Sequence, residues 1–375
     1  MSNKITDFLI IYILTALWYN QMINNSKGFF MEDIYISKKR QIPQEIQFDF
    51  LDEQAPPPEP QKEEKTKKKH RFLKVIASIL AVIFIFSSVF IFTFALFADY
   101  TREDLDSNKY VSATELKNNP FITNILLMGV DGSVENSSRS DSMILLSIDL
   151  VHTDIKMSSF LRDSWVDIPS KSKKGKLNSA CSIGGPQLVV DTIEYNFNVD
   201  IDHYVMVDFG MFTRIIDSFG GVEVEVTQKE ASFINRTTRQ TVNSGTNVLL
   251  NGEEALVYCR IRKLDSDYMR TFRQRKVITA LIEKVKKTDI STLIQIVNDV
   301  FPLIKTDLNA FEITGLAYKS AASLLLFDIK QTRVPLDEHM KPSTINGQWV
   351  EVIDLPATKE YLQEFIYTNN IKEED

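Results

Sequence analysis

The chain has 375 residues, of which 44% are hydrophobic and 25% charged, so it can bury one good core with accessory segments. The formal net charge of −7 and a pI near 5.4 disfavour a protein that coats nucleic acid, because neutralising phosphates requires a basic surface. The two cysteines, Cys181 and Cys259, lack the spacing of a zinc site, and we expect them to pack as small hydrophobic side chains rather than to form a disulfide.

Residues 1–72 are predicted to form a cytoplasmic, largely disordered tail. Residues 38–71 contain several prolines and many charges without the apolar periodicity that a folded core needs. An apolar stretch at 8–18 is only about half as long as a membrane span. Lys27 and Gly28 can be encoded by a purine-rich sequence of the kind that binds the ribosome, and Met31 follows shortly after them. We therefore interpret Met31 as the true start of translation and residues 1–30 as upstream sequence that was included by a misassigned start codon.

An uncharged apolar stretch at 75–97 is long enough to cross a bilayer as a helix, and we place a transmembrane helix over residues 73–98. A run of lysines and arginines precedes it, and acidic residues follow it. The positive-inside rule then places the N-terminus in the cytoplasm and everything after about residue 100 outside the cell. A cleaved signal peptide is disfavoured, since the apolar run is too long and begins too far into the chain.

After a predicted connector at 99–120, strand and helix patterns alternate to the end of the chain. The predicted strands are 125–130, 143–148, 155–161, 330–335 and 349–353, and the predicted helices are 184–195, 209–219, 271–287, 293–303 and 310–325. This alternation predicts an α/β domain at 121–360, with a mixed central sheet flanked by helices in three layers. Residues 361–375 are predicted to be a C-terminal tail.

The first three strands of this domain are joined by short connections, which favours antiparallel neighbours. In that arrangement five charged residues meet at one edge of the sheet: Asp131, Arg139, Asp141, Arg162 and Asp163. Carboxylates suit a hard cation such as Mg²⁺, and guanidinium groups match phosphate oxygens. A surface cluster of salt bridges is an equally open interpretation of these residues.

A second concentration of charge follows in the segment YCRIRKLDSDYMRTFRQR. It contains Arg260, Arg262, Asp267, Arg270, Arg273, Gln274 and Arg275. On one short strand, Arg260 and Arg262 would point the same way, which suggests an anionic ligand. A solvated helix start or a membrane-surface patch would also explain the pattern. The sequence has no P-loop, GxSxG or HExxH motif, and its four histidines form no recognisable triad.

The order of several motifs resembles that of the LytR-CpsA-Psr family over roughly residues 121–355. The matching segments are NILLMGVDG, RSDSMILLSID, SSFLRDSWVDIP, KLNSACSIGG, DHYVMVDFGMFTRIIDSFGGVEVEV, LNGEEALVYCRIR and DYMRTFRQR. The resemblance implies a sheet flanked by helices, with a hydrophobic channel for a polyprenyl chain and a polar mouth for its pyrophosphate. It also implies a membrane-anchored phosphotransferase of Gram-positive bacteria, which attaches a polyprenyl-pyrophosphate-linked glycopolymer of the teichoic acid or capsule type to peptidoglycan.

The resemblance also implies roles for individual residues. Asp131 and Asp141 are expected to hold Mg²⁺ or Mn²⁺, and Asp267 is a candidate general base. The residues expected to bind the phosphates are Arg162, Arg260, Arg262 and Gln274, with Arg139, Lys176 and Arg270 matching further motif positions. The chain departs from the family at Leu161, where proline is usual, at Cys259, and in the short loop between Arg262 and Asp267.

Other functions remain open at this point. A water acceptor would make the protein a polyprenyl pyrophosphate hydrolase, and an inert site would make it a lipid-binding or attenuator-type regulatory protein. No helix-turn-helix signature supports a nucleic-acid partner. Apolar stretches such as 188–193 and 209–219 fit the wall of a lipid channel and a filled core equally well.

Overall fold

The computed structural model describes residues 88, 89, 92, 100–133, 139–309, 311–313, 315–316 and 327–368. The predicted tail at 1–72, almost all of the predicted span at 73–98 and most of the predicted helix at 310–325 lie outside these residues. Within the described part of the chain, we find no helix that is both long and apolar enough to span a bilayer.

The described strands form sheets of seven, four and two strands. They are β1 (Thr101–Arg102), β2 (Ile122–Val130), β3 (Ser140–Asp149), β4 (Asp154–Phe160), β5 (Ser164–Ile168), β6 (Lys173–Lys176), β7 (His203–Asp208), β8 (Val222–Val226), β9 (Gly245–Leu250), β10 (Lys305–Thr306), β11 (Asp328–Val334), β12 (Met340–Ile345) and β13 (Gln348–Ile353). All five predicted strands are therefore present.

The main helices are α1 (Ser179–Phe197), α2 (Phe209–Ser218), α3 (Gln228–Thr238), α4 (Gly252–Cys259), α5 (Asp267–Lys287), α6 (Ile290–Val300) and α7 (Leu355–Tyr367). Local signals explain where several begin. Thr227 and Asn251 cap α3 and α4, each with a glutamate three residues later that bonds back to the cap. Helix α1 is kinked at Gly185, whose φ of 66° is rare for any residue with a side chain.

The seven-stranded central sheet has the order β1-β10-β7-β2-β3-β4-β11. Strands β2, β3 and β4 are antiparallel neighbours, as their short connections predict. Val130, the last residue of β2, pairs with Ser140, the first residue of β3. The end of β2, the start of β3 and the end of β4 therefore lie at one edge of the sheet, which places Asp131, Asp141 and Arg162 close together.

Helices cover both faces of the central sheet, which confirms a mixed α/β fold with sheets flanked by helices. On one face Leu126, Met128 and Val130 of β2 join a core that includes Val189 of α1 and Phe365 of α7. The alternate residues of β2 face the other side, because successive side chains of a strand point in opposite directions. On that side a separate apolar cluster forms among α2, α3, α4, α5 and the β8–β9 hairpin.

The structure differs from the predicted domain limits at both ends. Strand β1, in the predicted connector, pairs with β10 at the edge of the central sheet. Helix α7 extends past the predicted limit at residue 360, and its Leu362 and Phe365 are buried in the core. The fully buried Lys156 donates hydrogen bonds to Asp149 (2.8 Å) and to the carbonyl of Ile366 (2.8 Å), so the end of α7 is bound to the sheet.

Cys181 and Cys259 are both buried and unpaired, so the expectation that they do not form a disulfide is confirmed. Burial raises the pKa of the Cys181 thiol to about 11 and that of Cys259 to about 12. Both side chains therefore stay protonated at neutral pH and act as small apolar groups, since the thiolate is the reactive form.

Candidate active site

A cavity of about 670 Å³ lies between the central sheet and helices α2, α4 and α5. Its apolar wall includes Leu127, Ile144, Val205, Phe212, Ile215 and Leu281. Its polar lining includes Asp131, Asp141, Arg162, Arg260, Arg262, Arg270 and Gln274, which we call the polar mouth. Because a strand rises about 3.3 Å per residue, Leu127 lies about 13 Å along β2 from Asp131. The cavity thus leads from a charged end to an apolar interior.

Arg162 links two carboxylates at the polar mouth. Its Nη1 donates to Asp141 Oδ1 at 2.6 Å, and its Nε lies 3.4 Å from Asp163 Oδ2. Asp163 in turn accepts a hydrogen bond of 2.7 Å from Lys176 Nζ. These contacts fix the guanidinium between the sheet edge and β6. Neither Lys176 nor Asp163 lines the cavity; they are connected to it through Arg162.

Leu161 directly precedes Arg162, at the position where the family resemblance implies a proline. Its backbone N–H donates to the carbonyl of Val334 at 2.9 Å, extending the pairing of β4 with β11 by one bond. Proline has no N–H and could not make this contact. The hydrogen bond therefore holds the backbone directly before Arg162.

Asp267 contacts two arginines of the polar mouth, Arg262 before it in the chain and Arg270 after it. Arg270 Nη2 donates to Asp267 Oδ2 at 2.8 Å, and Arg262 Nε lies 3.6 Å from Asp267 Oδ1. Arg262 also approaches Asp141, with Nη2 at 3.8 Å from Oδ2. Asp267 itself does not line the cavity, but it sets the direction of two guanidinium groups that do.

Arg270 is the most unusual residue of the polar mouth, because only 2% of it is exposed. Its Nε and Nη1 have no hydrogen-bond partner among the described residues. Burial is the largest cause of a pKa lowered to about 10 for this guanidinium; the neighbouring Arg262 and Arg162 also lower the pKa, whereas Asp267 and Asp141 raise it. A buried cation with unused donors is costly, so this position favours an anionic ligand that supplies the missing acceptors.

Arg260 and Arg262 do not lie on a strand, so that prediction is wrong. Helix α4 ends at Cys259, Arg260 is its C-cap, and Arg262 follows in a loop. The two side chains nevertheless line the same cavity. The Arg260 guanidinium is exposed and lies over the ring of Phe209, with 4.3 Å between Cζ and the ring centroid. This contact leaves the edge of the guanidinium, which holds its donors, available.

Two further residues of the cavity were not predicted as site residues, although Phe209 begins the apolar stretch at 209–219 that was considered for a channel wall. Ser142 donates a hydrogen bond of 3.0 Å to Gln274 Oε1 and so orients that amide. Phe209 supports Arg260 from the first turn of α2. Ser142 lies one residue after Asp141, near the start of β3, and Phe209 directly follows β7. Their places near the ends of strands are the features of the sequence from which they could have been predicted. Arg139 is exposed beside Asp131 and is not among the residues that line the cavity.

Arg273 belongs to the same charged segment but has a structural role rather than the anion-binding role that the charge pattern suggested. It is 2% exposed, its Nε donates to Glu230 Oε1 at 2.6 Å, and it forms an ion pair with Asp265. These contacts join α5 to α3. Although burial alone would raise the pKa of Glu230, the hydrogen bonds from Arg273 and Thr227 lower it below its usual 4.5.

We expect Arg273→Ala to destabilise the domain, because Glu230 would remain buried without its cation. A broken buried pair costs about 3 to 5 kcal/mol, or roughly 6 to 20 °C in melting temperature. The exposed Arg236 on α3 provides the control, and Arg236→Ala should change stability by less than about 0.5 kcal/mol. The difference between wild type and Arg273→Ala should be present above about pH 4.5 and shrink as pH falls through the lower folded pKa of Glu230. Equal melting temperatures at pH 7 would contradict this role.

The residues at the sheet edge fit a hard divalent cation. Asp131 and Asp141 both line the cavity, and the Asp131 side chain forms no hydrogen bond or ion pair with another described residue. No cluster of three metal-binding side chains occurs in the described ranges. Mg²⁺ commonly uses only one or two carboxylates and takes its other oxygens from water and phosphate. Two carboxylates beside the arginines of the polar mouth are therefore a suitable donor set.

The chain matches the model of the LytR_cpsA_psr family over residues 88–365. It is 33% identical over 232 residues to the polyisoprenyl-teichoic acid–peptidoglycan teichoic acid transferase TagU of Enterococcus faecalis, covering 60% of this chain and 74% of that protein. It is 34% identical over 211 residues to TagU of Halalkalibacterium halodurans, covering 55% and 67%. A solved structure of TagT bound to LI-WTA is 26% identical, with a TM-score of 0.58 over 71% of this chain and 99% of that one. Because the family match extends over well more than half of the residues, the chain belongs to the LytR-CpsA-Psr family.

Proposed function

We propose that this protein is a phosphotransferase that moves a glycopolymer from a polyprenyl pyrophosphate carrier onto peptidoglycan through a phosphodiester bond. The polymer belongs to the teichoic acid or capsule class. The sequence relatives of the chain are named as teichoic acid transferases, and TagT, its structural relative, has been solved with LI-WTA bound. These relatives support the transferase class and the lipid-linked glycan as donor.

The observation on which the proposal rests is the junction between the apolar cavity and the buried Arg270. A ligand that fills both parts must join a long apolar chain to a strongly anionic group, as a polyprenyl pyrophosphate does. The apolar wall removes the chain from water, and Arg162, Arg260, Arg262 and Arg270 offer guanidinium donors to phosphate oxygens. Filling the unused donors of Arg270 would also relieve the cost of its burial.

In the proposed reaction, a hydroxyl of a peptidoglycan sugar attacks the phosphorus that is attached to the polymer. The new bond joins that hydroxyl oxygen to phosphorus, and the bond from phosphorus to the bridging oxygen of the pyrophosphate breaks. Polyprenyl phosphate leaves with that electron pair, and the hydroxyl proton passes to a base, for which Asp267 is the candidate. The arginines of the polar mouth stabilise the negative charge that develops on the leaving phosphate.

Mg²⁺ or Mn²⁺, held by Asp131 and Asp141, would neutralise phosphate charge and favour the leaving group. The protein residues perform the remaining tasks. Asp141 and Asp163 hold Arg162 in position, Gln274 is oriented by Ser142, and the apolar wall excludes water that would otherwise compete with the sugar hydroxyl. Exclusion of water is what separates a transferase from a hydrolase at such a site.

We also propose that residues 73–98 anchor the protein in the cell membrane as a single helix, with residues 1–72 in the cytoplasm and the catalytic domain outside. The apolar run and the basic residues before it support this topology. A reporter fused after Asp375 should be active only in its extracytoplasmic form, and protease added to protoplasts should remove the mass beyond residue 100. A protected C-terminus would contradict both the topology and the proposed acceptor.

The function itself is tested with the full-length protein in detergent, a radiolabelled lipid-linked glycan and purified peptidoglycan. We expect label to become covalently attached to peptidoglycan in proportion to the polyprenyl phosphate that is released. Released phosphate-terminated glycan without attachment would show a hydrolase instead. Retention of the intact donor without turnover would show a lipid-binding protein and would contradict the transferase proposal.

A further inference from the structure

The β5–β6 hairpin holds a concentration of positive charge that the proposed chemistry does not use. Lysines occupy positions 171, 173, 174 and 176, with Lys171 in the turn and the others on β6. Lys171, Lys173 and Lys174 are exposed. The chain as a whole has 43 basic against 50 acidic residues, so four lysines within six positions stand out from the average charge. We call Lys171, Lys173 and Lys174 the lysine strand.

The lysine strand is connected to the polar mouth by a series of direct contacts. Arg162 contacts Asp141 and Asp163, and Asp163 accepts a hydrogen bond of 2.7 Å from Lys176. Lys176 is the last residue of β6. Because a strand rises about 3.3 Å per residue, the charges continue for about 10 Å from Lys176 to Lys173. Cationic groups therefore extend from the cavity onto the outer surface of the domain.

Most of this positive charge is not neutralised within the described part of the protein. Lys174 Nζ lies 3.8 Å from Asp167 Oδ2, and the two side chains are 54% and 40% exposed. Because solvent screens an ion pair this exposed, the pair is weak. Lys171 and Lys173 form no salt bridge with any other described residue. Trp165 lies opposite Lys176 in the register of β5 and β6, on the same face as Lys174. Lys173 is on the other face of β6, opposite Ile168, and Lys171 lies just before the strand, so the unpaired charge is concentrated at the exposed start of β6. Exposed ammonium groups beside an indole ring suit a polymer of sugars or polyols linked by phosphates.

The position of the hairpin argues against a membrane as its partner. The strand nearest to the proposed membrane anchor is β1, at one edge of the central sheet. The hairpin follows directly after β4, which is five strands away from β1 in the order of that sheet. At about 4.8 Å between strands, this separation is about 24 Å. The lysine strand thus adjoins the reaction site rather than the point where the anchor meets the domain.

We propose that the lysine strand binds the polyanionic part of the donor, so that a glycopolymer with phosphodiester repeats lies along β6 as it leaves the polar mouth. The inference rests on the proposed transferase function, and it names the chemical class of donor that the protein prefers. Phosphodiester groups of the polymer would be paired with Lys174 on the face of Trp165 and then, around the start of β6, with Lys173 and Lys171. The protein would accordingly favour charged, teichoic-acid-like donors over neutral glycans on the same lipid.

The test uses the full-length protein and two donors with identical lipid and linkage sugars. One donor ends in an uncharged oligosaccharide, and the other is extended by glycerol phosphate repeats. For the triple variant Lys171→Gln, Lys173→Gln and Lys174→Gln, we expect the KM for the charged donor to rise by about fivefold to tenfold at low salt. The kcat for the charged donor and both constants for the neutral donor should stay unchanged. The corresponding Lys→Arg triple variant should behave as wild type.

A matched control removes the same charge elsewhere, through Lys109→Gln, Lys229→Gln and Lys287→Gln, all at exposed positions. This control should leave the KM for the charged donor unchanged. Equal effects of the two triple variants, or equal effects of the lysine-strand variant on the two donors, would overturn the inference. Loss of binding to vesicles of anionic phospholipid, with donor selectivity intact, would assign the lysines to the membrane instead.

The inference and the proposed function can fail separately. If the wild type transfers neither donor, the proposed function is wrong. The inference is then tested by titrating the wild type and the lysine-strand variant with free poly(glycerol phosphate) and comparing their affinities. Tighter binding to wild type than to the lysine-strand variant would support it. Equal binding would overturn it.

Discussion

Arg260→Ala is expected to lose nearly all glycan transfer while its melting temperature stays close to that of the wild type. The side chain is exposed, and its described contact is with the ring of Phe209, so little structure depends on it. If the guanidinium binds pyrophosphate, its loss removes charge-assisted hydrogen bonds that are each worth about 1.5 to 3 kcal/mol. Two such bonds correspond to roughly 10²-fold to 10⁴-fold in turnover.

Two variants make this result specific. Arg260→Lys keeps the charge but lacks the planar fork, so it should restore only a small part of the activity. Arg214→Ala, at an exposed position on α2, removes an arginine from the helix that begins at Phe209 and should leave both activity and stability unchanged. The measurements are transfer of labelled glycan and thermal unfolding without ligand. An Arg260→Ala protein that melts much earlier, yet transfers glycan when folded, would show that the residue supports the fold.

The double variant Asp131→Asn and Asp141→Asn is expected to abolish metal-dependent transfer, because a hard cation loses its two anionic ligands. Asp131→Asn alone is the cleaner test of metal binding, since Asp141 also holds Arg162. For that single variant, the Mg²⁺ concentration that gives half-maximal activity should rise by about tenfold or more, which corresponds to about 1.4 kcal/mol of binding free energy.

Direct titration with Mn²⁺ in the presence of inorganic pyrophosphate separates metal binding from turnover. The wild type should bind Mn²⁺ more tightly than Asp131→Asn does. Asp328→Asn is the control, because Asp328 is exposed at the start of β11, at the opposite end of the sheet strands from the polar mouth. Wild-type transfer that continues undiminished in a strong chelator would refute the metal site.

Much of the domain could be predicted because its central strands have simple signals. β2 and β3 contain apolar runs of strand length, and the short connections from β2 to β3 and from β3 to β4 leave few alternatives to antiparallel pairing. That pairing is enough to bring Asp131, Asp141 and Arg162 to one edge of the sheet. Seven of the ten predicted site residues line one cavity; Asp267 contacts Arg270 of its lining, and Lys176 is connected to it through Asp163 and Arg162.

The prediction that Arg260 and Arg262 lie on a strand is wrong because the chain before them is helical. The segment LVYC is rich in residues that favour strands, yet it forms the last turn of α4. A competing signal was present, because Asn251 followed by Glu254 is a capping pair that predicts a helix start. Two glutamates in the first turn favour the same outcome through the helix dipole.

The distinction between Arg270 and Arg273 could not be drawn from the sequence. Both are arginines on α5, three positions apart and equally buried. Arg273 is neutralised by Glu230, 43 positions earlier, whereas Arg270 keeps unused donors at the cavity. The same limit applies to the cavity wall, because a hollow and a filled core require the same apolar residues in the same pattern. Only the long-range packing decides between them.

The ammonium of Lys156, on β4, binds the end of α7 and so makes the C-terminal part of the chain necessary for the stability of the domain. A protein cut at residue 360 would lose Phe365 from the core and would leave Lys156 without the carbonyl of Ile366. The remaining Asp149 contact would not replace the last two turns of the helix, about seven residues. A shortened protein made for crystallisation or screening should therefore keep every residue through Thr368, whose carbonyl lies 3.4 Å from the same ammonium.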